Sequence, residues 1–368
     1  MTSRITRITF MASSLIIASF LTACGDKKPT STTDTITPTP SVEISTPKTT
    51  AETKAITEAV TEESTTHTVA NTIDTSDIFS GYATQKIADH TYVIHGPTEI
   101  PNPKNKGFMN NPGFIITDKS VIVIDPGSSR QIGQALLARI KEVTSNPITH
   151  VFATHVHGDH WLGNHAIKNA YPKAAFYAHP NMIEKANNGE ADMWIKNMHA
   201  LTEGATEGTK AIIPNQESTH ESSKTVDNMT IKTHFIEKAH SNTDIMLEIV
   251  EDKVLFTGDN ITYTRLPRMR DGTFKGNIAA ADYALTLNIK HVVPGHGPSG
   301  GKEILQSYRN YLSTVYENTK ILMEEDLEPF EMKAQIVKKL ANYKDWSGFE
   351  EQIGKHIGLA ALEIEADF

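Results

Sequence analysis

The sequence predicts an α/β fold, and three observations predict it. From about Tyr82, short β-branched runs alternate with stretches whose apolar residues recur at helical spacing. After Pro298 the pattern is helical to the end of the chain. Between the two, four side chains able to bind a metal stand within six residues, directly after a strand-like run. A composition of 38% hydrophobic and 21% charged residues is that of an ordinary globular chain, which excludes collagen-like, coiled-coil and wholly disordered readings. Length alone would suggest two domains, but the first fifth of the chain offers no core, so one catalytic domain is expected.

In chain order, residues 1–23 run from basic Arg4 and Arg7 through an apolar stretch, Phe10 to Leu21, that is too short for a permanent span. This predicts a secretory signal peptide. It ends Leu21-Thr22-Ala23-Cys24-Gly25, which resembles a bacterial lipoprotein signal and implies lipidation of Cys24. In that resemblance a glycine after the cysteine implies an exported lipoprotein anchored at the outer membrane and facing the periplasm. Residues 24–80 are rich in Thr, Ser, Pro, Glu and Lys, cannot offset their chain entropy by burial, and read as a disordered linker. A catalytic domain over 81–300 and a helical carboxy-terminal extension over 301–368, packed on it, are expected to follow.

Within the domain, strands are predicted at 91–94, 113–117 and 121–124, the last two paired through a turn at Asp118-Lys119. A helix over 130–143 carries Ile132, Leu136, Leu137 and Ile140 on one face, with Pro147 as a stop signal beyond it. Strand signals return at 148–153, 174–177, 229–236, 245–250, 254–256 and 291–293, and helices are predicted at 304–323, 331–341 and 349–364.

The net charge of −9 argues against a nucleic-acid partner. Cys24 is the single cysteine, so the domain can form no internal disulfide and has no cysteine ligand or nucleophile. Histidine is therefore the informative residue, and it concentrates in Thr154-His155-Val156-His157-Gly158-Asp159-His160. In a continuing strand His155, His157 and Asp159 would share a face and His160 would point away, whereas a loop at Gly158 would splay them toward two adjacent points. Imidazole and carboxylate suit Zn²⁺, and a catalytic zinc keeps one position open for water.

His155-x-His157-x-Asp159-His160 resembles the signature motif of the metallo-β-lactamase superfamily. Ile124-Asp125-Pro126-Gly127 precedes it, and Ala239-His240-Ser241-Asn242-Thr243-Asp244, Leu255-Phe256-Thr257-Gly258-Asp259-Asn260 and Val293-Pro294-Gly295-His296-Gly297 follow in the order that superfamily uses. The resemblance spans roughly 82–300 and implies an αββα sandwich with two zinc ions per chain at one edge. It implies that His155, His157 and His240 hold one ion, that Asp159, His160 and His296 hold the other, and that Asp259 bridges them. A hydroxide shared by two cations is a nucleophile at neutral pH, and Asp159 would orient it as the catalytic carboxylate. Asp125 and Asn164, with Thr154, are expected to support the ligands from behind. His179, His199, His220, His234 and His291 lack motif context and read as surface or packing residues.

With no cysteine in the domain and an aspartate at 259, the site resembles the glyoxalase II type. The wider match, through His160-Trp161-Leu162-Gly163-Asn164 and the run from Arg270 to Asn277, resembles the exported quinoprotein-relay zinc metallohydrolases. The reading is a hydrolase of an ester, thioester, lactone or similar carbonyl, with a small-molecule substrate and a membrane reached through the lipid anchor. Three alternatives stand beside it: a β-lactam hydrolase, a mononuclear iron oxidoreductase like the persulfide dioxygenases, and a non-catalytic metal-binding protein. Arg265, Arg268 and Arg270 are candidates to pair with a substrate carboxylate. The loop 105–112, with Phe108 and Met109 at its tip, is expected to close over the metals as an apolar flap.

Overall fold

Val121-Ile122-Val123-Ile124 is apolar on both faces, and a strand of that kind needs a covering layer on each side. The computed structural model, which describes residues 78–366, supplies both layers. Seven strands form the first sheet: β1 Thr84–Lys86, β2 Thr91–Ile94, β3 Gly113–Ile116, β4 Val121–Ile124, β5 Ile148–Phe152, β6 Ala175–Ala178 and β7 Gln216–Glu217, in that spatial order. Pairing is antiparallel from β1 to β4 and parallel from β4 to β7. Five strands form the second: β8 Ser223–Val226, β9 Met229–Phe235, β10 Ile245–Ile249, β11 Val254–Phe256 and β12 His291–Val293, antiparallel except for β11 with β12.

The period-two alternation of each strand divides its side chains between layers. Ile122 and Ile124 of β4, with Ile115 and Phe152, meet Ile245, Leu247 and Phe256 between the sheets. Val121 and Val123 turn the other way, onto Ile132, Leu136 and Ile140 of helix α1, Arg130–Val143. Ser129 starts that helix by accepting a hydrogen bond from the Ile132 amide. On the far side, Met246, Leu255 and Val292 pack under a second helical layer. The arrangement is an αββα sandwich.

Four short helices follow α1 on the first-sheet side: α2 Gly158–Trp161, α3 Asn164–Ala170, α4 Pro180–Lys185 and α5 Ala191–Leu201. The outer layer on the second sheet is α6 Phe274–Thr286, α7 Lys302–Met323, α8 Pro329–Lys339 and α9 Phe349–Glu365. Tyr308, Leu312, Ile353 and Ile357 of α7 and α9 are buried in the same cluster as the sheet residues. The carboxy-terminal helices therefore complete the sandwich as its fourth layer.

Two details differ from the sequence reading. Ile78 and Phe79, placed there at the end of the linker, are buried, and the Phe79 ring lies 4.5 Å from that of Phe108. The domain thus begins by Ile78. Strands β1, β7 and β8 were not anticipated, because short, partly exposed strands carry little apolar periodicity, while α4 to α6 fall between strands where helices were expected without bounds. Cys24 and the expected signal peptide and linker, up to residue 77, lie outside the described residues. Among the described residues no helix is long and apolar enough to cross a membrane.

Candidate metal centre

Strand β5 ends at Phe152 and the chain turns into α2 at Gly158, with His157 in extended conformation immediately before it. The histidine run therefore occupies a strand-to-helix loop, and its side chains splay into two groups. The ligand atoms of His155, His157, His240 and Asp259 lie within 4.8 Å of one another, as do those of Asp159, His160 and His296. His240 comes from the loop before β10, Asp259 from a 3₁₀ turn after β11, and His296 from the turn after β12, so all converge on one edge of the sandwich. Asp259 stands between the groups, its carboxylate 3.3 Å from Nε2 of both His160 and His296 and 3.6 Å from Nε2 of His240. Asp159 is 3.3 Å from Nε2 of His296 and 3.5 Å from Nε2 of His160.

The opposite ring nitrogens decide what such a cluster can bind. His160 donates from Nδ1 to Oδ2 of Asp125 at 2.8 Å, and His296 donates from Nδ1 to the Met109 carbonyl at 2.8 Å. Thr154 gives its only hydroxyl proton to Asp125, so Nδ1 of His155, 3.0 Å from that hydroxyl, must be the donor there. His157 places Nε2 3.1 Å from Oδ2 of Asp271. Each of these four rings is thereby held with a proton on its outer nitrogen and its other nitrogen turned inward. Nε2 of His155 and of His160 are buried and make no hydrogen bond. Buried ring nitrogens facing two carboxylates, with the back nitrogens tied, are a donor set suited to cations.

The electrostatics divide the set. At His160 and His157 burial opposes the charged form, but Asp159, Asp259 and Asp125 outweigh it at His160 and raise that ring well above its ordinary value, and Asp271 and Asp159 raise His157. A cation would therefore compete with a proton at those two rings. Burial opposes the charged form of Asp159 and Asp259, but His160 and His296 outweigh it and hold both carboxyls well below the usual range. Burial and the neighbouring imidazoles drive His155 well below its ordinary value, and burial lowers His240. Lone pairs on those rings are therefore available at neutral pH.

Residues 105–296, just over half of the chain, match the family model of the metallo-beta-lactamase superfamily. The chain belongs to the metallo-beta-lactamase superfamily. A solved structure described as a metallo-beta-lactamase from Pontibacter korlensis is similar to it, with a TM-score of 0.51 and 17% identity over 63% of this chain and 99% of that one. At that identity the likeness concerns the fold. No curated protein matches the chain. Membership makes the protein a metallohydrolase, with the His and Asp groups above as those able to hold metal ions.

Several residues of this superfamily member stand elsewhere than the sequence suggested. Phe108 is no flap: it is 1% exposed and packs with Phe79 and Tyr82 in the core under the first sheet. Its loop serves the site from below. Asn110 donates to the Asp125 carbonyl, and Asn111 donates to the carbonyls of Pro294 and Gly297 on either side of His296. Asn164 donates to the carbonyl of Ile212 and makes no hydrogen bond to any of the seven side chains. Arg265 is buried, with Nη1 lacking a hydrogen-bond partner; Arg268 is half-buried and Arg270 exposed. Burial lowers the pKa of Arg265, while Asp259 and Asp159 attract its charge and oppose that shift.

Sequence reasoning missed four contributors. They are the Met109 carbonyl, Asp271, Asp244 and Trp194, whose ring lies 5.0 Å from that of His157. Asp244 is buried, accepts from the amide and hydroxyl of Ser241, and lies 3.9 Å from Nδ1 of His155. It stands in a run already singled out, and Asp271 in another, but neither run showed what its carboxylate would face.

Proposed function

We propose that the protein is an exported, lipid-anchored dizinc hydrolase of the glyoxalase II-like, quinoprotein-relay type, cleaving a small ester, thioester, lactone or similar carbonyl. One observation carries the reading: five imidazoles and two carboxylates converge, and four of the rings have their outer nitrogens bound to oxygen. His155, His157 and His240 would hold one ion, Asp159, His160 and His296 the other, with Asp259 shared. Two zinc ions there would lower the pKa of a shared water and polarise the scissile carbonyl. Asp159 and Asp259 stay ionised to balance the cations, and Asp159 is placed to accept a hydrogen bond from the attacking water and aim it. His160 is kept from rotating by Asp125, which Thr154 anchors in turn through its amide and hydroxyl at 2.8 Å each.

Arg265 bears on the substrate class. Its guanidinium lies near enough to Asp259 and Asp159 for their charges to act on it, and a carboxylate on the substrate is the partner proposed for it there. The envelope location rests on the basic-then-apolar leader and the small-residue run ending at Cys24.

The experiment is metal content by elemental analysis, on protein purified without chelator, beside Asp259→Ala. Two zincs per chain, falling to about one or fewer in the variant, support the reading and lead to a hydrolysis screen of carboxylate-bearing esters, thioesters, lactones and β-lactams. A single iron that is insensitive to the substitution would redirect the search to oxygen-dependent sulfur chemistry.

A further inference from the structure

We infer that Asp271 is a positioning residue: it holds the proton of His157 on Nε2, so that Nδ1 is offered to a cation, and it thereby sets the affinity of the three-histidine group. The inference rests on the metal-binding reading above.

His157 differs from its neighbours. His155, His160 and His296 turn Nε2 inward and keep Nδ1 against the protein. In His157 the inward atom is Nδ1, 3.0 Å from Nε2 of His240, and the outward atom is Nε2. The other back-side acceptors, Thr154, Asp125 and the Met109 carbonyl, are buried. Asp271 is 48% exposed. Without a fixed acceptor, water would solvate either tautomer of His157, and the wrong one puts a proton where the cation must bind. A carboxylate 3.1 Å from Nε2 removes that ambiguity.

The loop that brings Asp271 there is pinned to the backbone that supplies His240. A β-carbon at Gly272 would overlap the carbonyls of Ala239 and His240, so only glycine allows the loop to lie on that segment. The Thr273 amide donates to the carbonyls of Lys238 and Ala239, and the Thr273 hydroxyl donates to Lys238 at 2.7 Å. Asn277 also donates to the Ala239 carbonyl, at 2.6 Å. Asp271 is thus set relative to His240 and His157 together.

The test is zinc titration of the full chain against a chromophoric chelator, for the wild type, Asp271→Ala and Asp271→Asn, with thermal melts of the metal-free forms. Alanine should weaken one of the two zincs by about 10- to 100-fold and leave the other unchanged. Asparagine, whose amide oxygen still accepts from Nε2, should stay within a few-fold of wild type, and the three metal-free melts should coincide because the side chain is half-exposed. Unchanged affinities in Asp271→Ala, an Asp271→Asn as weak as alanine, or a metal-free melting loss in Asp271→Ala would each overturn the inference. A wild type that takes up no zinc would overturn the proposed function as well, whereas two zincs in a wild type matched by Asp271→Ala would overturn the positioning role alone.

Discussion

A β-carbon on Gly295 would overlap Oδ1 of Asp259. The turn that presents His296 therefore lies directly on the turn that presents Asp259, and the Gly295 amide fixes the contact by donating to the carbonyls of Gly258 at 2.9 Å and Ile261 at 3.2 Å. Two ligands from different strands are registered through a residue that has no side chain.

Gly295→Ala should push the Asp259 carboxylate out of place while leaving the strands intact. The expected result is a loss of zinc affinity of about tenfold or more with an unchanged far-ultraviolet circular dichroism spectrum. Retention of both zincs at wild-type affinity would show that the turn can yield.

Asp125 accepts from the Thr154 amide, the Thr154 hydroxyl and His160, and its own backbone is left-handed, with φ of 50°. Asp125→Ala should therefore remove one zinc and cost about 1–3 kcal/mol of stability, because the Thr154 amide is left buried and unpaired. Asp125→Asn, which tolerates that backbone and keeps an acceptor, should lose less on both counts. Urea unfolding with a parallel zinc assay reads both effects.

Phe108 and Arg265 should separate stability from substrate handling. Phe108→Ala empties a packed site and should cost about 3–5 kcal/mol while KM stays near wild type. Arg265→Met should raise KM for a carboxylate-bearing ester, lowering kcat/KM by about 10- to 100-fold, with a neutral ester of the same shape little affected. Steady-state kinetics on the matched pair of esters checks the second; equal losses on both would remove Arg265 from substrate recognition.

His356 of α9 accepts from the Tyr311 hydroxyl at Nδ1 and donates from Nε2 to the Pro267 carbonyl, tying the fourth layer to the loop that carries Arg265 and Asp271. Burial pushes its pKa down to about 4 from 6.5. In the unfolded chain it protonates first, so the stability of the folded form is full above about pH 6.5 and falls as the pH drops toward 4. The loss is on the order of 3 kcal/mol. His356→Gln keeps a donor and an acceptor without titrating, so the pH dependence of urea unfolding between pH 7 and 4 should flatten by about one proton. Identical slopes in the two proteins would show that other groups control the acid limb.

What could be read along the chain was whatever repeats or clusters locally. The all-apolar runs at 121–124 and 254–256 announce strands with a layer on each face, the period of Ile132, Leu136 and Ile140 announces α1, and His155 to His160 announce a metal site because they are neighbours in sequence. Tertiary structure decided what depends on contacts between distant segments. It turned Phe108 into core by setting Phe79 against it, sent Asn164 to Ile212, and buried Arg265 beside the ligands. It also chose the nitrogen that His155, His157, His160 and His296 present, since that choice belongs to Thr154, Asp271, Asp125 and Met109 rather than to the ring. Hydrogen-bond partners up to 187 positions apart leave no period or spacing in the chain, so only the folded backbone reveals them.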